Sequence, residues 1–293
     1  MIWGMDKYNV RERLMKKNVK WSTFILLAVF FVGLCVMLYP AISSFWNSKT
    51  QSAAIVDYEK MLENLPKEDY TKYFEEAELY NEFLAGMEDP LQNIDILDEY
   101  FDILDVSGTG MMGYISIEKI GIELPVYHGT SDAVLSIAAG HLQGTSFPIG
   151  GIGSHSVVSA HRGLPSAVLF THLDYLELGD TFSFKILDKT ITYQVDQIKV
   201  IKPDDVSDIR IEADKDYCTL LTCTPYGINT HRLLVRGVKV DSIKQSQVYV
   251  VSDAVRIDAL IITPIIGIPI LFTLMMIVLL KPIKKDDLGE NLE

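Results

Sequence analysis

The chain has three cysteines, and one of them sits where chemistry needs it. In TLLTCTPYGINTHRLLVRG, residues 219 to 237, Cys223 closes an apolar, Thr-rich run, and Arg232 follows nine positions on, across a Pro/Gly turn. A thiol becomes a nucleophile only as its thiolate, so it needs a basic partner and a positive surrounding. A guanidinium within an apolar strand is costly unless it faces a rim, an acid or an anion. Set across the turn from Cys223, Arg232 is placed to hold the oxyanion that forms when a thiolate attacks a carbonyl. A surface salt bridge satisfies the same constraint, and the spacing leaves both readings open.

Of the six histidines, His161 stands out: HSVVSAHRGLP sets it just past a buried-looking strand, ahead of Gly163 and Pro165. That position presents a side chain at the rim of a β-structure, where an acid/base can reach a thiol. A hydrogen-bonded structural histidine fits the same spacing. His155 and His161 fall on one strand face, but the sequence has no clustered ligand spacing, so no metal is expected. His231, adjacent to Arg232, points away from any site that Arg232 faces. Cys218 lies five residues before Cys223, roughly 16 Å along a strand, beyond the ~7 Å reach of a disulfide. It alternates to the opposite face, where it packs as a small apolar side chain. DVSGTGMMGYIS, residues 105 to 116, begins like a calcium loop, but Ser116 stands where a bidentate Glu is required, and a turn is expected there.

The elements that must carry these residues are short runs of β-branched and aromatic residues cut by Gly, Pro and Asp. They include GYISI, LPVYHG, HSVVSAH, DTFSFKIL, KTITYQVDQIKVI, DYCTLLTC and HRLLVRGVKV. Seven or eight such strands predict a mainly β fold, a closed or nearly closed barrel. Before it, residues from Ser48 to about Tyr100 have helical character, broken at Pro66 and around Pro90, and their Tyr/Phe stripe reads as packing surface.

Two uncharged stretches, 21–39 and 259–280, have the length of membrane spans; nineteen helical residues reach roughly 28 Å. The first exceeds the apolar core of a signal peptide. Lys and Arg cluster before the first span and after the second, which predicts cytoplasmic termini. Residues 41–258 then form an outside domain with 17 Lys/Arg against 33 Asp/Glu, a net charge of −16. That excess disfavours nucleic acid as a partner and tolerates cationic groups such as lysine side chains. The expected organisation is a cytoplasmic tail (1–20), a span (21–39), a helical arm and lid (41–104), a β-barrel catalytic domain (105–245), a linker (246–258), a second span (259–280) and a cytoplasmic tail (281–293).

TLLTC followed by Arg232, with SAHRG upstream, resembles the sortases, which share a TLxTC strand, an upstream His and a downstream Arg. The stretches GYISIEKIGIELPVYHGTS, GHLQGTSFPIGGIGSHSVVSAHRGLPSAVLF, DQIKVIKPDD and LLTCTPYGINTHRLLVRG are similar to the class C, pilin-polymerising sortases, and the resemblance runs from about Asp105 to Arg236. It implies a sortase-like barrel of about eight strands in a Gram-positive cell membrane, with the catalytic domain outside. It also implies a cysteine transpeptidase without cofactor or metal: Cys223 attacks the Thr–Gly carbonyl of an LPXTG-like sorting signal, His161 serves as acid and then base, and Arg232 steadies substrate and oxyanion. The implied partners are pilin subunits bearing C-terminal sorting signals, with a pilin lysine or a cell-wall amine as acceptor. Class C relatives carry an Asp-Pro-aromatic lid over the cysteine. Here the match is Asp89, Pro90 and Leu91 within MEDPLQNID (87–95), so the aromatic is absent, and Asp89 is expected to pair with Arg232. A peptidoglycan-anchoring sortase and a catalytically idle membrane-anchored scaffold are the alternatives.

Overall fold

The computed structural model describes residues 5–94, 98–241 and 259–280. The expected linker at 246–258, the C-terminal tail at 281–293, residues 1–4 of the N-terminal tail and Asp95 of the lid lie outside them. The chain divides into two compact units, residues 1–42 with 252–293, and residues 43–251.

In the first unit, helix α1 (Met5–Asn64) is long and apolar enough from Phe24 onward to cross a membrane, and its apolar window is not buried inside the protein. Helix α4 (Ala259–Leu280) is uninterrupted through Pro264 and Pro269. The sequence reading separates span from arm near Pro40; the structure runs α1 through it. A proline removes one donor, toward the Val36 carbonyl, and good helix formers on both sides carry the helix past that single loss.

In the second unit, α1 ends before Pro66 and α2 (Lys67–Ala85) begins after it, as the sequence predicts. Tyr58, Tyr70, Phe74, Tyr80 and Tyr100 are buried in the main core, so the aromatic stripe is packing surface. The Tyr58 hydroxyl donates to the Met112 carbonyl at 3.1 Å and accepts from the Leu187 amide at 3.0 Å, which fastens the arm to β1 and to the β5–β6 turn. The Asn81 side chain likewise exchanges two hydrogen bonds with the Phe147 backbone.

The barrel consists of β1 (Met111–Ile117), β2 (Ile122–His128), β3 (Ala139–His141), β4 (Ser154–Ser159), β5 (Thr181–Ile186), β6 (Lys189–Ile201), β7 (Asp216–Thr224) and β8 (His231–Val240). A one-turn helix, α3 (Asp132–Leu135), leads into β3. The strands close in the order β1-β2-β3-β4-β7-β8-β6-β5; β2/β3 and β4/β7 are parallel and the other pairs antiparallel. β3 is the strand that sequence patterning misses, since three residues show no alternation. Inside, Phe182 stacks on Tyr193 with ring centroids 5.7 Å apart. Gly237 is required beneath that pair, because a Cβ there would lie 2.9 Å from both the Phe182 ring and the Tyr193 Cβ.

Alternation divides β7 and β8 between two faces. Cys218, Leu220, Leu233 and Val235 belong to the main core. Leu221 and Leu234 belong to a second, smaller cluster on the opposite face, with Val157, Ile201, Ile209 and Leu91.

Candidate active site

Three strands meet at the site. β4 and β7 run parallel with a constant offset of 62 residues, from Ser154 beside Asp216 to Ser159 beside Leu221. Continued by two residues, that register sets position 161 opposite position 223. On the other side of β7, Cys223 is the direct antiparallel partner of Arg232, which in turn is registered with Ile201 of β6. His161, Cys223 and Arg232 therefore stand in one row on three adjacent chain segments, each half-buried. All three positions share the parity of Val157, Leu221 and Leu234, which assigns them to the face of the smaller apolar cluster, outside the barrel interior.

The backbone around His161 is firmly held. The Phe170 amide donates to the His161 carbonyl at 3.1 Å, and the Gly163 amide donates to the Thr171 hydroxyl at 3.2 Å, so the loop after β4 folds back on itself. The Arg232 guanidinium donates from Nη1 to the carbonyls of Asn229 (3.2 Å) and His231 (3.1 Å); among the described residues no carboxylate pairs with it. His231 sits opposite Thr224, its Nδ1 3.0 Å from the Thr230 hydroxyl.

Cys218, His155 and His141 separate from these by burial. Cys218 is fully buried, and desolvation pushes its thiol well above the ordinary range. His155 shares the parity of His161, yet its Nδ1 donates to the Arg210 carbonyl and its Nε2 accepts from the Thr219 hydroxyl, both at 2.8 Å. Burial lowers it to about 4, so it stays neutral and structural. His141 is lowered by burial to about 3. Asp105 accepts from the amides of Thr109 and Gly110 and from the Ser107 hydroxyl, and the calcium-like sequence is a self-satisfied turn.

The segment Asp89-Pro90-Leu91 lies on the same face as the row. Leu91 packs into the cluster with Leu221 and Ile209, two positions before Cys223 along β7. A cavity of about 190 Å³ beside it is lined by Asp89, Pro90, Leu91, His155, Ile209 and Arg210, but not by Cys223, His161 or Arg232. The expected pairing of Asp89 with Arg232 is corrected: its carboxylate meets Arg210 at 3.3 Å. The reason is topological, since Arg210 is carried by the β6–β7 connection that shares the cavity wall with Asp89. No local signal near residue 210 announces that role.

Comparisons with known proteins address the fold and the family. A family model described as "Sortase domain" matches residues 115–240. Sortase C1 from Streptococcus agalactiae is 51% identical, with a TM-score of 0.62, over 64% of this chain and 98% of that one. Sortase C from Streptococcus pneumoniae is 40% identical, with a TM-score of 0.59, over 64% of this chain and 97% of that one. Among curated proteins, sortase D of Bacillus subtilis is 29% identical over 131 residues, 44% of this chain and 63% of its own length. The chain spans between 47% and 63% of the length of the curated relatives it matches. With the eight-strand barrel, the TLLTC strand end and near-complete coverage of the solved sortase C structures, the chain belongs to the sortase family, in its class C branch.

Proposed function

We propose that the protein is a membrane-anchored cysteine transpeptidase that joins pilin subunits. The observation that carries this reading is the single row of His161, Cys223 and Arg232 on one face, set by the β4/β7 and β7/β8 registers. The Cys223 Sγ attacks the carbonyl of a sorting-signal peptide bond, and the oxyanion is held by the Arg232 guanidinium. His161 gives its proton to the leaving amine as the C–N bond breaks, and a thioester remains. A lysine amine of a second pilin then attacks the thioester, His161 takes its proton, and Sγ leaves as the new amide forms. Thioester exchange of this kind is redox-neutral and draws on side chains alone.

The acidic outside domain suits a cationic lysine acceptor. Asp89, Pro90 and Leu91 act as a lid whose opening admits the sorting signal. The apolar part of α1 anchors the protein, and α4 forms a second span, leaving both termini cytoplasmic and the barrel on the outer side of a Gram-positive membrane.

Incubating the full-length protein with candidate pilins tests the reading. Covalent ladders that need Cys223, His161 and Arg232 are the expected result. Single transfer to a peptidoglycan amine would make it an anchoring sortase, and a Cys223 thiol whose reactivity ignores His161 would make it an idle scaffold.

A further inference from the structure

Where β4 ends at Ser159, three contacts lace the following residues to the end of β7. The Ala160 amide donates to the Leu221 carbonyl at 3.2 Å, and the Thr222 hydroxyl donates to the Ala160 carbonyl at 2.8 Å. Beyond His161, the Arg162 Nη1 reaches the Thr224 hydroxyl at 3.4 Å, while its Nη2 is anchored on Asp174 at 2.6 Å. The next residue, Gly163, has φ +77°, and a Cβ on it would press to 3.0 Å on the Tyr226 ring. So the residues before and after His161 are tied to the residues before and after Cys223.

We propose that Thr222 and Arg162 are positioning residues that hold the His161 and Cys223 side chains in reacting register. This rests on the reading of those two as the reacting pair. The strand ladder cannot do it alone, because His161 stands past the end of β4. Thr222 is buried, with its side chain on the barrel-interior face, and its hydroxyl reaches the His161 segment through the Ala160 carbonyl. Valine has nearly the same shape and is likewise favoured in strands, so what the hydroxyl adds is its bond to the Ala160 carbonyl. Reaction rates respond steeply to misplacement of reacting groups, by about 10²-fold per ångström.

The test uses the full-length protein in detergent, with Thr222→Val, Thr222→Ser, Arg162→Gln, His161→Ala and Cys223→Ala. Transfer of a sorting-signal peptide to an amine is measured beside the pH dependence of Cys223 alkylation and the melting temperature. Thr222→Val is expected to lower kcat about 30-fold or more with KM within about twofold, and to move its alkylation curve toward that of His161→Ala. Thr222→Ser should restore both, and Arg162→Gln should lower kcat about five- to tenfold with the same shape of change. A Thr222→Val enzyme that melts earlier but keeps its kcat and alkylation curve overturns the proposal. Should Thr222→Val not fold, an Arg162→Gln enzyme with unchanged kcat overturns it instead. Failure of the underlying reading is distinct: wild type and Cys223→Ala would then transfer equally, whatever residue 222 is.

Discussion

The Asp89 carboxylate lies 3.3 Å from the Arg210 guanidinium and so ties the Asp89-Pro90-Leu91 segment to the β6–β7 connection, leaving Arg232 free of it. Both side chains are largely open to solvent, 44% and 62% exposed. A pair this exposed stabilises by about 1 kcal/mol at most. Asp89→Ala and Arg210→Ala should each raise the Cys223 alkylation rate about fivefold at most, and the double variant no further. High salt should reproduce the effect, because it screens the same pair. Additive single effects would show that the two residues do not act on each other.

Leu91 should matter more than Asp89. It is half-buried against the cluster of Val157, Ile201, Ile209 and Leu234, and truncating it forfeits roughly 1–2 kcal/mol of apolar contact. Leu91→Ala is expected to speed alkylation about 5- to 30-fold, and Leu91→Trp to slow it by covering more of the same face. Equal rates in all three proteins would remove the lid assignment.

Peptide mapping after brief alkylation of the folded protein should find Cys223 modified and Cys218 protected, since Cys218 has no exposed surface. Cys218→Ala should cost stability of about 1–2 kcal/mol and leave transfer intact, while Cys223→Ala should do the reverse. Labelling of Cys218 at the same rate as Cys223 would contradict the assigned faces.

His141 and His155 are held neutral by burial, at about 3 and about 4, against about 6.5 in an unfolded chain. As pH falls below about 6.5 the unfolded chain takes up two protons that the folded one refuses, so stability drops, by a few kcal/mol for the pair by pH 4. Melting temperature measured from pH 7.5 to 4 should show this loss. His155→Gln should flatten the slope in that window, whatever it does to the absolute stability. An unchanged slope would place the acid sensitivity elsewhere.

How much of this was legible beforehand follows from the range of each interaction. The alternation that sends Cys218 inward and Cys223 outward is a property of neighbouring residues, as are the helical stripe ending before Pro66 and the apolar runs long enough to span a bilayer. All of these can be read along the chain. The TLLTC and SAHRG motifs single out the proposed reacting residues by resemblance, yet nothing in their spacing says that residue 161 stands opposite residue 223. Only the parallel pairing of β4 with β7, at an offset of 62 residues, brings them together. The same holds for the partner of Asp89. Asp89 is 121 positions from Arg210, and which cation it meets depends on where the fold places the β6–β7 connection. A three-residue strand such as β3 carries too little pattern to be seen before its neighbours exist. Side-chain direction and local propensity are written in the chain, whereas register and loop placement are set by non-local pairing, which is decided only when the barrel closes.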